Sequence, residues 1–121
     1  MMTPTLDALS VALGEALAAR GWMLATAESC TGGWIAEAVT ATAGSSGWFD
    51  RGFVTYSNDA KVDVLGVKQE TIGSHGAVSE PVAREMALGA LHQSDADLVV
   101  AVTGAARPRR GPAAKAAGAR A

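Results

Sequence analysis

The sequence predicts a compact α/β domain in three layers, a mostly parallel sheet held between two layers of helices. Three observations predict it. Segments with helical spacing of apolar residues alternate with short apolar runs at 22–27, 51–56 and 97–102. That alternation is the pattern of a sheet covered on both faces. The chain has 121 residues, 49% hydrophobic and 18% charged, which fits one globular domain and not a disordered segment. No segment repeats at a fixed period, which sets aside repeat architectures.

The first helix is expected to open at Thr3-Pro4, with Thr3 as N-cap and Pro4 at the first helical position. Leu6, Leu9, Leu13, Ala16 and Leu17 then recur at helical spacing up to Arg20-Gly21. Residues 22–27 form a short apolar strand. A helix from about Cys30 carries Trp34, Ile35, Ala38 and Val39 until "AGSSG" breaks it. "RGFVTY", Arg51 to Tyr56, is rich in β-formers and gives the second strand. A helix over 58–65 is closed by Gly66, and 70–74 forms a further helical turn. Ser79 caps a helix with Pro81 in its first turn and Val82, Met86, Ala90 and Leu91 on its buried face. "DLVVAV", Asp97 to Val102, is a fully buried strand ended by Thr103-Gly104.

Charge is unevenly placed. Residues 1–104 carry five basic and twelve acidic side chains, a net of −7, whereas 105–121 carry five basic ones and no acid. An acidic body excludes a broad nucleic-acid surface. The basic tail reads as solvated charge, with polyanion binding as the alternative. No apolar run approaches the roughly 18 residues of a membrane span, and no leader peptide is evident. The single cysteine, Cys30, cannot form an internal disulfide, so a cytoplasmic setting is expected.

The chemistry concentrates in "TAESCTGG", residues 26–33, at the end of the first strand. Ligands of parallel sheets sit at the carboxyl ends of strands. A helix start there offers amides to a phosphate or an oxyanion, and Gly32 and Gly33 permit close approach of a ligand. The competing reading makes Ser29 or Thr31 a helix cap and the glycines a packing device. A hydroxyl nucleophile needs a base. His75 lies in a loop, His92 reads as a surface residue, and Lys61 serves if burial or a nearby cation lowers its pKa. Tyr56 is either a proton relay or a core ring with a wet tip. Cys30 is either the nucleophile or a small buried residue. No metal-ligand cluster is visible, so no metal is expected.

Three separated motifs occur in order: "AESCTGGWIAEAVTATAGSSGWFDRGFVTYSNDAKVDVLGV", "HGAVSEPVAREMALGAL" and "DLVVAVTG". Together they resemble the CinA C-terminal domain family from about Leu6 to Gly104. The resemblance implies a cytoplasmic α/β enzyme that hydrolyses the carboxamide of nicotinamide mononucleotide to nicotinate mononucleotide and ammonia, without a cofactor. It implies Ser29 as nucleophile and Tyr56 and Lys61 as the groups that activate it and move the proton. Glu28, Cys30, Thr31, Gly32, Gly33, Asn58, Thr103 and Gly104 are then expected around the substrate, with Glu28 orienting the loop or holding ribose hydroxyls. The implied partner is a small mononucleotide, with neither nucleic acid nor membrane, and a homo-oligomer is suggested. A non-catalytic nucleotide-binding module is the alternative from another functional class.

The resemblance departs after Gly104. The family continues with a glycine-rich loop, a "KPVGTV"-like strand, another strand and a closing helix. Residues 105–121 instead contain no Val, Ile, Leu or aromatic side chain, and eight of the seventeen are Ala. The expectation is a domain over 1–104 that lacks its C-terminal strands and helix, with a disordered tail produced by a frameshift. Apolar faces of the third strand and of the 79–94 helix would then be wet, and the chain poorly soluble or inactive.

Overall fold

The computed structural model describes residues 5–104 and the strand 115–120. Its elements run α1 (Leu6–Arg20), β1 (Leu24–Glu28), α2 (Trp34–Thr40), a single 3-10 turn at Ser45–Gly47, β2 (Phe49–Val54), α3 (Asn58–Leu65), α4 (Gln69–His75), α5 (Glu80–His92), β3 (Leu98–Thr103) and β4 (Lys115–Arg120). The sheet order is β2-β1-β3-β4. β1 is central and pairs in parallel with both β2 and β3. The chain leaves β1 for one neighbour and returns to its other side, so a topological switch point falls at the carboxyl end of β1.

Alternation along the strands feeds two cores. Ala25, Ala27, Val99 and Ala101 face α5 and α3, where Leu65, Val82, Met86 and Ala90 are buried. Leu24 faces the other way and packs with Leu17, Val39 and Trp48, joined by Leu98 and Val100. A strand with both faces covered buries every residue, as β1 does. The three-layer expectation therefore holds, and its physical basis is this two-sided burial.

Several local expectations shift. The Thr3-Pro4 cap lies outside the described residues. The observed N-cap of α1 is Thr5, whose hydroxyl accepts from the Ala8 amide at 3.1 Å. α2 begins at Trp34, not near Cys30, because Gly32 and Gly33 take left-handed φ values of 63° and 103° that no helix interior accepts. β2 starts two residues earlier than expected, at Phe49. Gly66 and Ser79 cap α3 and α5 as the sequence indicates.

The tail departs most. The expectation that it adds no strand does not hold, since Lys115–Arg120 pairs antiparallel with all of β3. Side-chain burial was the wrong criterion for an outer strand. β3 presents a free row of backbone donors and acceptors, and a ladder needs only backbone to satisfy them. Residues 105–114 lie outside the described residues. The exposure expected on α5 and β3 is met at Leu88 of α5 and otherwise corrected: Val82, Met86, Val99 and Ala101 are fully buried, because α5 packs on β1, β3 and β4 and against α3 and α4. The large apolar side chains left wet include Leu6, Leu9 and Val11 on α1, Trp34 on α2, Val64 on α3 and Leu88 on α5. Leu6, Leu9, Leu13, Trp34 and Ile35 border an apolar cleft of about 150 Å³ between α1 and α2. Among the described residues no helix is long and apolar enough to cross a membrane.

Candidate active site

Ser29 follows the last residue of β1 and is held from both sides of the sheet. Its amide donates to the Val102 carbonyl of β3 at 3.1 Å, and the Glu28 carbonyl accepts from Thr55 beyond β2 at 2.9 Å. The hydroxyl of Ser29 donates to the Tyr56 carbonyl oxygen at 3.4 Å. Lys61 donates its ammonium to that same oxygen at 3.1 Å. The two side chains therefore meet at one main-chain atom, although Ser29 and Lys61 are 32 positions apart in the sequence.

Lys61 sits on the inner side of α3 and is only 2% exposed. Its long stem is packed and its charge is not balanced by an acid: among the described residues it forms no ion pair. Burial pushes its pKa below the ordinary lysine value, while the nearby Cys30 side chain, when charged, pulls the other way. A buried amine of lowered basicity that shares a hydrogen-bond acceptor with a serine hydroxyl can serve that hydroxyl as a general base.

Glu28 is fully buried, and its carboxylate accepts three hydrogen bonds. Thr31 Oγ1 donates at 2.7 Å, the Ile35 amide at 2.8 Å and the Ala36 amide at 2.9 Å. Of its two expected roles, orienting the loop or holding ribose hydroxyls, these bonds fit the first and not the second, since both oxygens are engaged inside the protein and no surface is open to a ligand. The chain's own anion thus occupies the Ile35 and Ala36 amides at the start of α2. The amides of Cys30, Thr31 and Gly33 find no acceptor among the described residues. Those three, in the turn itself, remain available to a developing oxyanion.

The other expected residues fall into two groups. Cys30 and Thr31 are half-buried in the turn, and Gly32 and Gly33 supply its left-handed backbone. Thr103, at the end of β3, is buried and donates to the Ala77 carbonyl at 2.8 Å, so its hydroxyl ties the 76–79 loop to the sheet; Gly104 follows at the rim. Asn58 stands apart on the exposed start of α3, where it borders a shallow hollow with Asp59, Val62, Gln69 and Ile72. The phenol of Tyr56 is exposed, with 69% of the residue's surface open, so Tyr56 joins the Ser29–Lys61 pair through its carbonyl. His75 and His92 are both exposed, at the ends of α4 and α5. Among the described residues no three His, Cys, Asp or Glu side chains cluster to hold a metal.

Sequence reasoning did not find the Tyr56 carbonyl or the Val102 carbonyl, because every residue carries such an atom and only the fold selects one. It also missed the clamp from Glu28 to Ile35 and Ala36. That reach spans seven and eight residues, well beyond the three-residue spacing of a capping box.

Fold and site together define an α/β domain with a serine–lysine pair on the carboxyl edge of a central parallel strand. The model of the CinA C-terminal domain matches residues 6–120, and the chain belongs to that family. It is 57% identical over 118 residues to a nicotinamide-nucleotide amidohydrolase PncC of Enterobacter agglomerans, covering 98% of this chain and 72% of that protein. It is 56% identical over 110 residues to the protein of the same name in Escherichia coli K12, covering 91% and 67%. A putative competence-damage inducible protein of Symbiobacterium thermophilum is 55% identical, and there the match spans only 26% of the longer relative. Among solved structures, the competence/damage inducible protein CihA of Agrobacterium tumefaciens superposes with a TM-score of 0.85 at 51% identity, covering 93% of this chain and 69% of that one.

Proposed function

We propose that this protein is an amidohydrolase acting on the carboxamide of nicotinamide mononucleotide, as the names of its relatives indicate for them. The observation that carries the reading is the meeting of the Ser29 hydroxyl and the buried Lys61 ammonium at the Tyr56 carbonyl. In the proposed cycle the neutral amine of Lys61 takes the Ser29 proton as the oxygen attacks the carboxamide carbon. The oxyanion is received by the amides of Cys30, Thr31 and Gly33. Collapse expels ammonia, which takes its proton from Lys61. Water then hydrolyses the acyl-serine to the carboxylate and restores Ser29. The exposed phenol of Tyr56 is assigned to donating a hydrogen bond to the leaving nitrogen of a bound substrate. The reaction product is a small molecule, which fits a cytoplasmic role in nucleotide recycling.

The test is ammonia release from nicotinamide mononucleotide by the purified chain, repeated with Ser29→Ala and Cys30→Ala. Turnover that survives in Cys30→Ala and vanishes in Ser29→Ala supports the reading. The reverse pattern transfers the nucleophile to the thiol. Tight mononucleotide binding with no turnover by any of the three would replace the enzyme with a binding module.

A further inference from the structure

We propose that Glu28 is a positioning residue for the nucleophile turn, its carboxylate clamping the first turn of α2 back onto the end of β1. The inference rests on the amidohydrolase reading for its kinetic readout only. Residues 29–33 form a short strap between two fixed points. One end is pinned by the sheet through the Ser29 amide and the Glu28 carbonyl. The other end carries no side-chain cap of its own, since the N-cap of α2 is Gly33. Glu28 supplies the missing cap: its carboxylate accepts from the Ile35 and Ala36 amides, with the Thr31 hydroxyl as a third donor.

Three features make this a positioning device and not a generic cap. The carboxylate belongs to the residue immediately before Ser29, so any shift of the clamp is transmitted to the nucleophile through one peptide unit. All three partners are donors, so both oxygens must act as acceptors, which a carboxylate does and an amide does not. The strap between the pinned ends includes the amides of Cys30, Thr31 and Gly33 assigned to the oxyanion. One side chain thus sets nucleophile and oxyanion donors relative to each other, and displacement of such groups by about 1 Å costs on the order of 100-fold in rate.

Glu28→Gln keeps size and shape but turns one acceptor into a donor facing another donor. The expected result is a kcat lower by about 100-fold, with KM within about threefold of the parent because ground-state binding is untouched. Amide hydrogen exchange should accelerate in the 29–36 segment while β3 and α5 stay protected. Glu28→Asp, which keeps the charge but is one methylene short, should fall between the two. Should Glu28→Gln not fold, Thr31→Val removes one donor and leaves the carboxylate in place; it should accelerate exchange in 29–36 alone and lower kcat by about tenfold. Wild-type kcat with unchanged exchange in the variant used overturns the proposal, as does exchange that accelerates throughout the chain. If the parent protein releases no ammonia, the amidohydrolase reading fails, and the exchange pattern alone still decides the clamp.

Discussion

At the scale of the residue, Lys61 carries the most consequence. It is a buried cation that forms no ion pair among the described residues and donates to one main-chain oxygen. In the proposed cycle its neutral form does the work, so turnover should rise with pH through a pKa below the ordinary lysine value of 10.5. Stability follows the same group. Between the folded pKa and 10.5 the unfolded chain binds the proton and the folded chain does not, so stability increases with pH across that window. Below the folded pKa the cost of burial is present in full. Lys61→Met should therefore remove turnover, by about 1,000-fold or more, and should stabilise the protein at pH 7 by about 1–2 kcal/mol. Denaturant melts at pH 7 and pH 10, paired with ammonia assays, check both signs. Tyr56→Phe separates the two parts of that residue: the carbonyl stays, so the fold and Lys61 should be undisturbed, and a kcat loss of about 10–100-fold would belong to the phenol. Unchanged turnover would leave Tyr56 a main-chain role only.

At the scale of the element, close approach decides more than propensity. α5 crosses α3 at Gly89, where a Cβ would lie 1.8 Å from the Leu65 carbonyl oxygen. Backbone occupies both sides of that contact, so neither can yield locally. Gly89→Ala should cost about 3 kcal/mol or more, at the upper end of overpacking losses, read as a lower urea midpoint with an unchanged slope. An undiminished midpoint would show that α5 slides along α3 without penalty. Much of the element map was legible from residues such as Ser79-Glu80-Pro81, Gly66 and "LVVAV", whose capping or burial preferences act within a few positions. The start of α2 was misread for the opposite reason. Its apolar spacing points to Cys30, and only the left-handed glycines together with the remote Glu28 carboxylate set it at Trp34.

At the scale of the whole molecule, two surfaces matter. The β3–β4 ladder extends one edge of the sheet, so deleting residues 105–121 should lower stability by about 3 kcal/mol, a handful of ladder bonds at roughly 1 kcal/mol each. An unaltered thermal midpoint after the deletion would show that β4 contributes nothing to the fold. The cleft between α1 and α2 leaves Leu6 and Leu9 about half exposed, a contiguous apolar surface of the kind that promotes association. Converting both to Lys should raise the solubility limit while changing stability by less than about 0.5 kcal/mol each. A large loss of stability would mean that these side chains are packed.

The sequence by itself determined the layer order, the two-sided burial of β1 and β3, and the concentration of chemistry at residues 28–33. These follow from periodicity, glycine placement and capping, which act between near neighbours along the chain. Only the tertiary structure decided which groups converge. The meeting of Ser29 with Lys61 at the Tyr56 carbonyl, the internal use of Glu28 and the pairing of the tail with β3 depend on atoms brought together by sheet topology. Those atoms are main-chain donors and acceptors common to all residues, so no local pattern of side chains can single them out.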